Sequence, residues 1–195
     1  MTLIPTHVVV CGVSGTGKST VAMQLSNRLG WQSAEGDLFH SASNVAKMRS
    51  GVPLTKLDRM PWLEALCLWM TERASAGEST VLACSALARQ HRDELRKASG
   101  RVRFVQLVAD RSVVGSRLQA RQDHFMPASL LDSQFEQLDL LGADEDGLRL
   151  DVSRQSVEQL ADLVLADFSL SAGSIFFAEK SWALQTAPAS GADKS

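Results

Sequence analysis

Val8-Val9-Val10-Cys11-Gly12-Val13-Ser14-Gly15-Thr16-Gly17-Lys18-Ser19-Thr20 is the stretch that decides the fold. Its first four residues make a short apolar run rich in β-branched side chains and broken at once by glycine, the pattern of a strand buried on both faces of a parallel sheet. From Lys18 the period changes. Val21, Ala22, Leu25 and Leu29 fall on one helical face, and Gly30 stands where a helix would end. Between the predicted strand and helix, residues 12–19 satisfy G-x-x-x-x-G-K-[ST], the phosphate-binding P-loop. Glycines let the backbone curl so that successive N–H groups face one concavity at a helix N-terminus. Gly12, Ser14, Gly15, Thr16, Gly17, Lys18, Ser19 and Thr20 are therefore the candidate nucleotide-binding residues. Lys18 is expected to neutralise charge on the β- and γ-phosphates and the Ser19 hydroxyl to bind Mg²⁺, which makes ATP and Mg²⁺ the implied ligands.

Working outward, residues 80–84 and 102–108 read as further strands, with helix-favouring segments at about 88–97 and 112–121 after them. Strands alternating with helices imply βαβ crossovers, hence an α/β fold with a parallel sheet between helical layers. Asp58 is placed to cap a helix with Pro61 in its first turn, after which Trp62, Leu66, Trp69 and Met70 share one face. The two tryptophans read as core. Pro127 opens a segment whose Leu130, Leu131, Phe135 and Leu138 have helical spacing, and residues 148–152 and 157–165 read as a last strand and helix. Beyond Phe168 the composition shifts to Ala, Ser and Gly apart from an apolar island at 175–177, so residues 171–195 are expected to form a mobile tail. Residues 1–168 are expected to be one domain.

Composition narrows the function. A chain of 195 residues, 45% of them hydrophobic, suits one ordinary domain with one sizeable core. Twenty Lys and Arg against 22 Asp and Glu leave a net charge of -2, so there is no basic field to draw nucleic acid or anionic lipid. Small molecules are the expected partners. Three cysteines, Cys11, Cys67 and Cys84, lie in apolar stretches and argue for a reducing, cytoplasmic setting. No secretory signal or membrane-length apolar run is apparent. A P-loop alone fixes nucleotide binding and not the reaction, but the guanine-reading N-K-x-D string is absent.

Open α/β sheets bind ligands beyond the carboxyl ends of their strands. Asp37, His40, Cys84-Ser85 and Asp110 all lie in such places. Asp37 is suited to accept a hydroxyl proton or to hold the metal through water, and those alternatives stay open. Asp110 looks like a Walker B carboxylate, yet an N-cap role explains it equally well. Arg117 and Arg121 are four apart on one helical face with His124 shortly after, a pattern suited to a lid whose guanidiniums close over the transferring phosphoryl group.

The order and spacing of several further strings resemble the gluconokinases, relatives of the shikimate and nucleoside monophosphate kinases, from about Val8 to Leu165. They are Gly36-Asp37-Leu38-Phe39-His40, then Asn44 and Lys47-Met48, then Gly51-Val52-Pro53-Leu54 with Asp58-Arg59-Met60-Pro61-Trp62-Leu63. Ala83-Cys84-Ser85-Ala86-Leu87 leads to Arg92-Asp93, and His124-Phe125-Met126-Pro127 precedes Leu130-Leu131 and Ser133-Gln134-Phe135. The resemblance implies a P-loop three-layer αβα fold with a five-stranded parallel sheet of nucleoside monophosphate kinase type, a helical substrate-binding region at about 38–76 and a lid at about 117–127. It implies a cytoplasmic homodimer that transfers the ATP γ-phosphoryl group to the 6-hydroxyl of D-gluconate. Asp37 becomes the base or substrate-orienting carboxylate, Arg121 a lid arginine acting in catalysis, and Arg117 a nucleotide contact. His40, Lys47, Arg49, Arg59, Ser85, Arg92 and His124 become the substrate-binding candidates. Arg59 and Arg92 share the expectation of gripping the acid, because a planar guanidinium can bond both carboxylate oxygens.

Three departures accompany the resemblance. Leu140-Leu141 stands where Glu-Pro often precedes the family's Gly-Ala-Asp-Glu, here residues 142–145, in what is expected to be an adenine-side loop. Ser41 replaces a common Pro and is expected to loosen a turn. The tail is longer than usual. A same-fold kinase for another sugar acid or polyol, and a nucleotide-dependent binding module, are the competing readings.

Overall fold

The computed structural model describes residues 4–119 and 128–170, the side chains of residues 128–130 excepted. Five strands alternate with helices along the chain: β1 (Thr6–Cys11), β2 (Gln32–Glu35), β3 (Thr80–Ala83), β4 (Arg101–Val108) and β5 (Gly147–Asp151). They pair in the order β2-β3-β1-β4-β5, all parallel. The helices are α1 (Lys18–Leu29), α2 (Ala42–Arg49), α3 (Lys56–Ser75), α4 (Arg89–Leu95), α5 (Arg111–Gln119), α6 (Ala128–Glu136) and α7 (Val157–Asp167). A 3₁₀ turn, Gly36–Phe39, follows β2.

The apolar run at the head of the P-loop explains the layering. Side chains on a strand alternate between faces, and both faces of a central parallel strand must be covered. Val8 and Val10 join Val21, Leu25, Val105, Leu107, Leu160 and Val164 in one cluster, beneath α1 and α7. Val9 and Cys11 join Trp62, Leu66, Met70, Leu82, Leu95 and Phe104 in the other, beneath α3 and α4. The result is a three-layer αβα sandwich. Trp62 is 1% exposed, as its helical spacing predicts, while Trp69 is packed against the same cluster less completely.

Helix ends follow local chemistry. Gly30 ends α1 in the left-handed conformation at φ 68°, where a Cβ is costly. The start of α3 corrects the sequence expectation: Thr55 is the N-cap, and Asp58 is the reciprocal partner that closes a capping box with it. Pro61 consequently falls in the second turn. The carbonyl it leaves without a helical partner is that of Leu57, a residue 83% exposed and open to water. Ser41 also overturns its expectation, since its side chain accepts the Asn44 N–H and caps α2 instead of loosening the turn.

β2 is absent from the sequence reading of individual strands. Its residues Gln32-Ser33-Ala34-Glu35 are polar and few, and as the edge strand beside β3 it needs only one covered flank. Its position matters because Glu35 and Asp37 hang from its carboxyl end.

Candidate active site

The chain leaves β1 at the centre of the sheet and reaches β3 and β2 on one side, β4 and β5 on the other, so the crevice of a topological switch point opens above β1. The P-loop fills its floor. Gly12, Gly15 and Gly17 have φ values of 138°, 85° and 94°, all in the region that side-chain-bearing residues avoid. A Cβ on Gly12 would also lie 2.4 Å from the Leu107 carbonyl oxygen. The Gly12 N–H donates to the Ser85 carbonyl at 3.1 Å, tying the loop to the end of β3. Thr16, 2% exposed, folds its hydroxyl back onto the Val13 carbonyl at 2.9 Å. Gly17 is the N-cap of α1, so Lys18, Ser19 and Thr20 begin the helix with N–H groups that have no helical acceptor. An anion belongs at that position.

Lys18 donates from Nζ to the Val13 carbonyl at 3.1 Å, which curls the ammonium over the loop. Burial pushes its pKa down, against the opposing pull of the Asp37 carboxylate and more weakly of Glu35. A partly desolvated cation is primed to gain from a polyphosphate. The Ser19 hydroxyl donates to Glu35 Oε2 at 3.0 Å. Burial pushes the Glu35 carboxyl up, with the Ser19 bond working the other way. Glu35 is a site residue that the sequence reading lacks, because β2 is not legible as a strand and nothing else in the sequence marks the carboxylate at its end.

Asp37 is exposed in the 3₁₀ turn. That turn is held from below: Trp62 Nε1 donates to the Gly36 carbonyl at 2.7 Å, and the His40 ring stacks on Trp62 at 4.5 Å between centroids. A Cβ on Gly36 would lie 2.6 Å from the Cys84 Cβ, so only glycine lets the turn sit this close to β3. Burial lowers the His40 pKa, and both Asp37 and Arg59 are close enough to act on it, in opposite senses. Arg59 is half-buried, donating from Nε to the Leu54 carbonyl at 3.3 Å and from Nη2 to Gln137 Oε1 at 3.1 Å. Lys18, Ser19, Glu35, Asp37, His40 and Arg59 thus share one electrostatic neighbourhood on the β2 and β3 side of the loop.

Other predicted residues stand on α2, on α5 and just after β4. Lys47 pairs with Asp58 at 2.6 Å, which with two bonds from Thr55 holds the Asp58 carboxyl at about 2. Arg49 is exposed in the last turn of α2. Arg117 sits on the opposite side of the crevice, its Nη2 donating to the Val152 carbonyl just past β5 at 2.9 Å. Asp110 is exposed at the start of α5, where its main-chain carbonyl accepts the Val114 N–H. Arg121 and His124 lie outside the described residues, as do residues 171–195.

Arg92 corrects the sequence reading. It is fully buried, bonded through Nε and Nη2 to Glu145 at 2.8 and 2.7 Å, and its Nη1 faces the Leu87 and Asp139 carbonyls at 3.0 and 3.1 Å. An incoming acid would have to displace a buried carboxylate that already fills the fork. Arg92 instead braces the turn after β3, where Ala86 takes a strained φ of 35° next to Ser85. The same network relocates the loop at residues 142–145. Glu145 bonds Arg92 and Arg96, Asp144 bonds Arg89, and Leu141 packs into the α3/α4 cluster with its N–H on Gln106 Oε1 at 2.8 Å. The segment therefore crosses the α3/α4 face of the sheet and is not an adenine-side loop.

A family model described as an AAA domain matches residues 8–141. Gluconokinase from Gluconobacter oxydans is 48% identical over 168 residues, spanning 86% of this chain and 91% of the relative. Among solved structures, an unliganded sugar kinase from Janibacter sp. HTCC2649 superposes with a TM-score of 0.81 at 47% identity, over 85% of this chain and 95% of that one. A gluconokinase from Sinorhizobium meliloti 1021 gives 0.75 at 40% identity, over 85% and 93%. With an identity this high across nearly the whole relative, and a P-loop crevice of this architecture beneath it, the chain belongs to the gluconokinase family.

Proposed function

We propose that the protein transfers the γ-phosphoryl group of ATP to the 6-hydroxyl of D-gluconate, giving 6-phospho-D-gluconate. The observation that carries this reading is the P-loop nest opening on one side onto Asp37, His40 and Arg59 and on the other onto Arg117. The triphosphate lies across Gly12 and Ser14 to Thr20, its nucleoside toward Arg117. The acceptor lies over β2 and β3, with its acid on Arg59 and its hydroxyls within reach of His40, Ser85 and, along α2, Lys47 and Arg49. His124 completes the acceptor set, and Arg121 in the lid at 117–127 closes over the transferring group.

Phosphoryl transfer passes through a loose transition state, so positioning and charge neutralisation supply most of the rate. Lys18 neutralises the β,γ-bridge region and gains there the partner that burial denies it in the free protein. Asp37 accepts the hydrogen of the 6-hydroxyl and aims its oxygen in line with phosphorus, the proton leaving as the new P–O bond forms and the bond to ADP breaks. Hard oxygen donors at Ser19, with carboxylates at Glu35 and Asp37, fit Mg²⁺, which takes few protein ligands and keeps water and phosphate oxygens. Held there, Mg²⁺ would supply neutralisation of phosphate charge. By accepting the Ser19 hydrogen, Glu35 turns a hydroxyl lone pair outward to the metal side.

A coupled assay for ADP with and without gluconate is the test. Gluconate-dependent release is expected, and equal release without it, or a polyol or another sugar acid with a much higher kcat/KM, would replace this reading. A homodimer and a cytoplasmic setting are supported by the family resemblance and the free thiols of Cys11, Cys67 and Cys84, and light scattering tests the former. No helix among the described residues is long and apolar enough to cross a membrane.

A further inference from the structure

The middle of the P-loop is held in part by its own turn, in which the Val13 carbonyl accepts the Thr16 N–H at 3.4 Å, the Thr16 hydroxyl at 2.9 Å and the Lys18 ammonium at 3.1 Å. Gly12 is tied to β3 through the Ser85 carbonyl and Gly17 is fixed by α1, but the Ser14 and Gly15 peptides lie between these anchors. Further support comes from behind. Val13 is 1% exposed in a small separate cluster with Leu87, Val114 and Leu131, and Phe135 packs against it. A Cβ on Gly15 would stand 3.0 Å from Val114 and 3.1 Å from Leu118 of α5. Ser14 is engaged by α6: its N–H donates to Gln134 Oε1 at 2.7 Å, and Gln134 Nε2 donates to Ser14 Oγ at 3.3 Å.

Two bonds from one amide to one residue fix that residue's orientation as well as its place. A glycine-rich segment that must order itself only when ligand arrives loses backbone entropy at every residue it fixes. Pre-ordering removes that cost from the transition state. The chemistry of the side chain also fits its place. A carboxamide accepts a backbone N–H as a carboxylate would, without setting a negative charge beside a triphosphate.

We propose that Gln134 is a positioning residue for phosphoryl transfer, holding Ser14 so that the following amides of the P-loop face the phosphates in advance. It acts through Ser14 and touches neither substrate. The proposal rests on the kinase reading given above, and its test separates the two.

Gln134→Ala and Gln134→Glu are compared with the parent protein by amide hydrogen exchange without ligand, by Mg·ATP calorimetry and by steady-state kinetics. In Gln134→Ala the Ser14 amide is expected to exchange at least tenfold faster. Its kcat should fall about ten- to a hundredfold, with the KM for gluconate within twofold and the thermal midpoint within a few degrees. Gln134→Glu, which keeps an acceptor for the Ser14 N–H, should protect that amide yet weaken Mg·ATP binding beyond the alanine variant, the more so at low salt. The proposal is overturned by unchanged Ser14 exchange in Gln134→Ala, by a kcat within twofold of the parent, or by a loss that only tracks the unfolded fraction. Failure of the parent to bind Mg·ATP would instead remove the kinase reading, since the exchange result does not depend on it.

Discussion

Arg92 and Glu145 show how one buried residue pair braces the turn after β3. Two buried charges are costly unless every donor and acceptor is used, and here Glu145 takes both arms of Arg92, Arg96 and the Gly142 N–H. Arg92 above all holds the Glu145 carboxyl at about 2, against burial, which alone would raise it from 4.5. Because the folded pKa lies below the unfolded one, the unfolded chain binds more protons between about pH 4.5 and 2. The stability linked to this carboxylate in its full set of bonds, about 3 kcal/mol, is therefore present above pH 4.5 and lost as pH falls through that window. Glu145→Gln should lower stability by about 3 kcal/mol at pH 7 in urea unfolding, and the gap to the parent should shrink steadily toward pH 2. A constant gap across that range would show that the carboxylate's charge is not what stabilises. The sequence could not disclose this pair, because the partners are 53 residues apart and a charged residue on a short helix is ordinarily solvated. Glu35 was hidden differently: only the bond to Ser19 distinguishes it from any loop carboxylate.

At the level of elements, the α2–α3 junction carries Lys47 and Arg59 and depends on one capping box. Thr55 accepts the Asp58 N–H at 3.2 Å, and Asp58 Oδ2 accepts the Thr55 N–H and hydroxyl at 2.9 and 2.8 Å, while Oδ1 takes Lys47. Losing an N-cap costs about 1 kcal/mol. Thr55→Ala is thus expected to lower the thermal midpoint by about 2–4 °C in a chain of this size. Because Arg59 follows in the first turn of α3, the KM for gluconate should rise with it. An unchanged midpoint in calorimetry would mean that packing of Trp62, Leu66 and Met70, and not the cap, sets where α3 begins. Pattern reading found α3 from those apolar residues, yet placed its start at Asp58, since Thr and Asp are both good caps and only the reciprocal bonds decide between them. β1 and α1 were legible outright, because a buried central strand and a glycine-to-lysine turn each have one interpretation. β2 was not, because a short polar edge strand is specified by its neighbour β3 and not by its own side chains.

At the scale of the whole molecule, strand order separates two sets of side chains. With β1 central, the carboxyl ends of β3 and β2 lead to Ser85, Glu35 and Asp37, while β4 leads to Asp110 and to Arg117, which bonds the Val152 carbonyl just past β5, and the proposed function puts the acceptor over the first set and the nucleoside toward the second. The strand–helix alternation predicts a parallel sheet, but the order that puts β1 at its centre depends on pairings between distant segments and comes from the structure. Ligand stabilisation should consequently be separable. A ligand at a hundredfold its Kd stabilises by about 2.7 kcal/mol, which corresponds to a rise of about 5–10 °C here. In Lys18→Ala the rise with Mg·ATP should vanish while that with gluconate survives. In Arg59→Ala the reverse should hold, because the partner proposed for the acid is lost while the nest is untouched. Loss of both rises in either variant, measured by calorimetry with the variants' unliganded midpoints within a few degrees of the parent, would mean that one ligand builds the other's site. The P-loop would then be ordered by the sugar acid, and the two halves of the crevice would have to be treated as one.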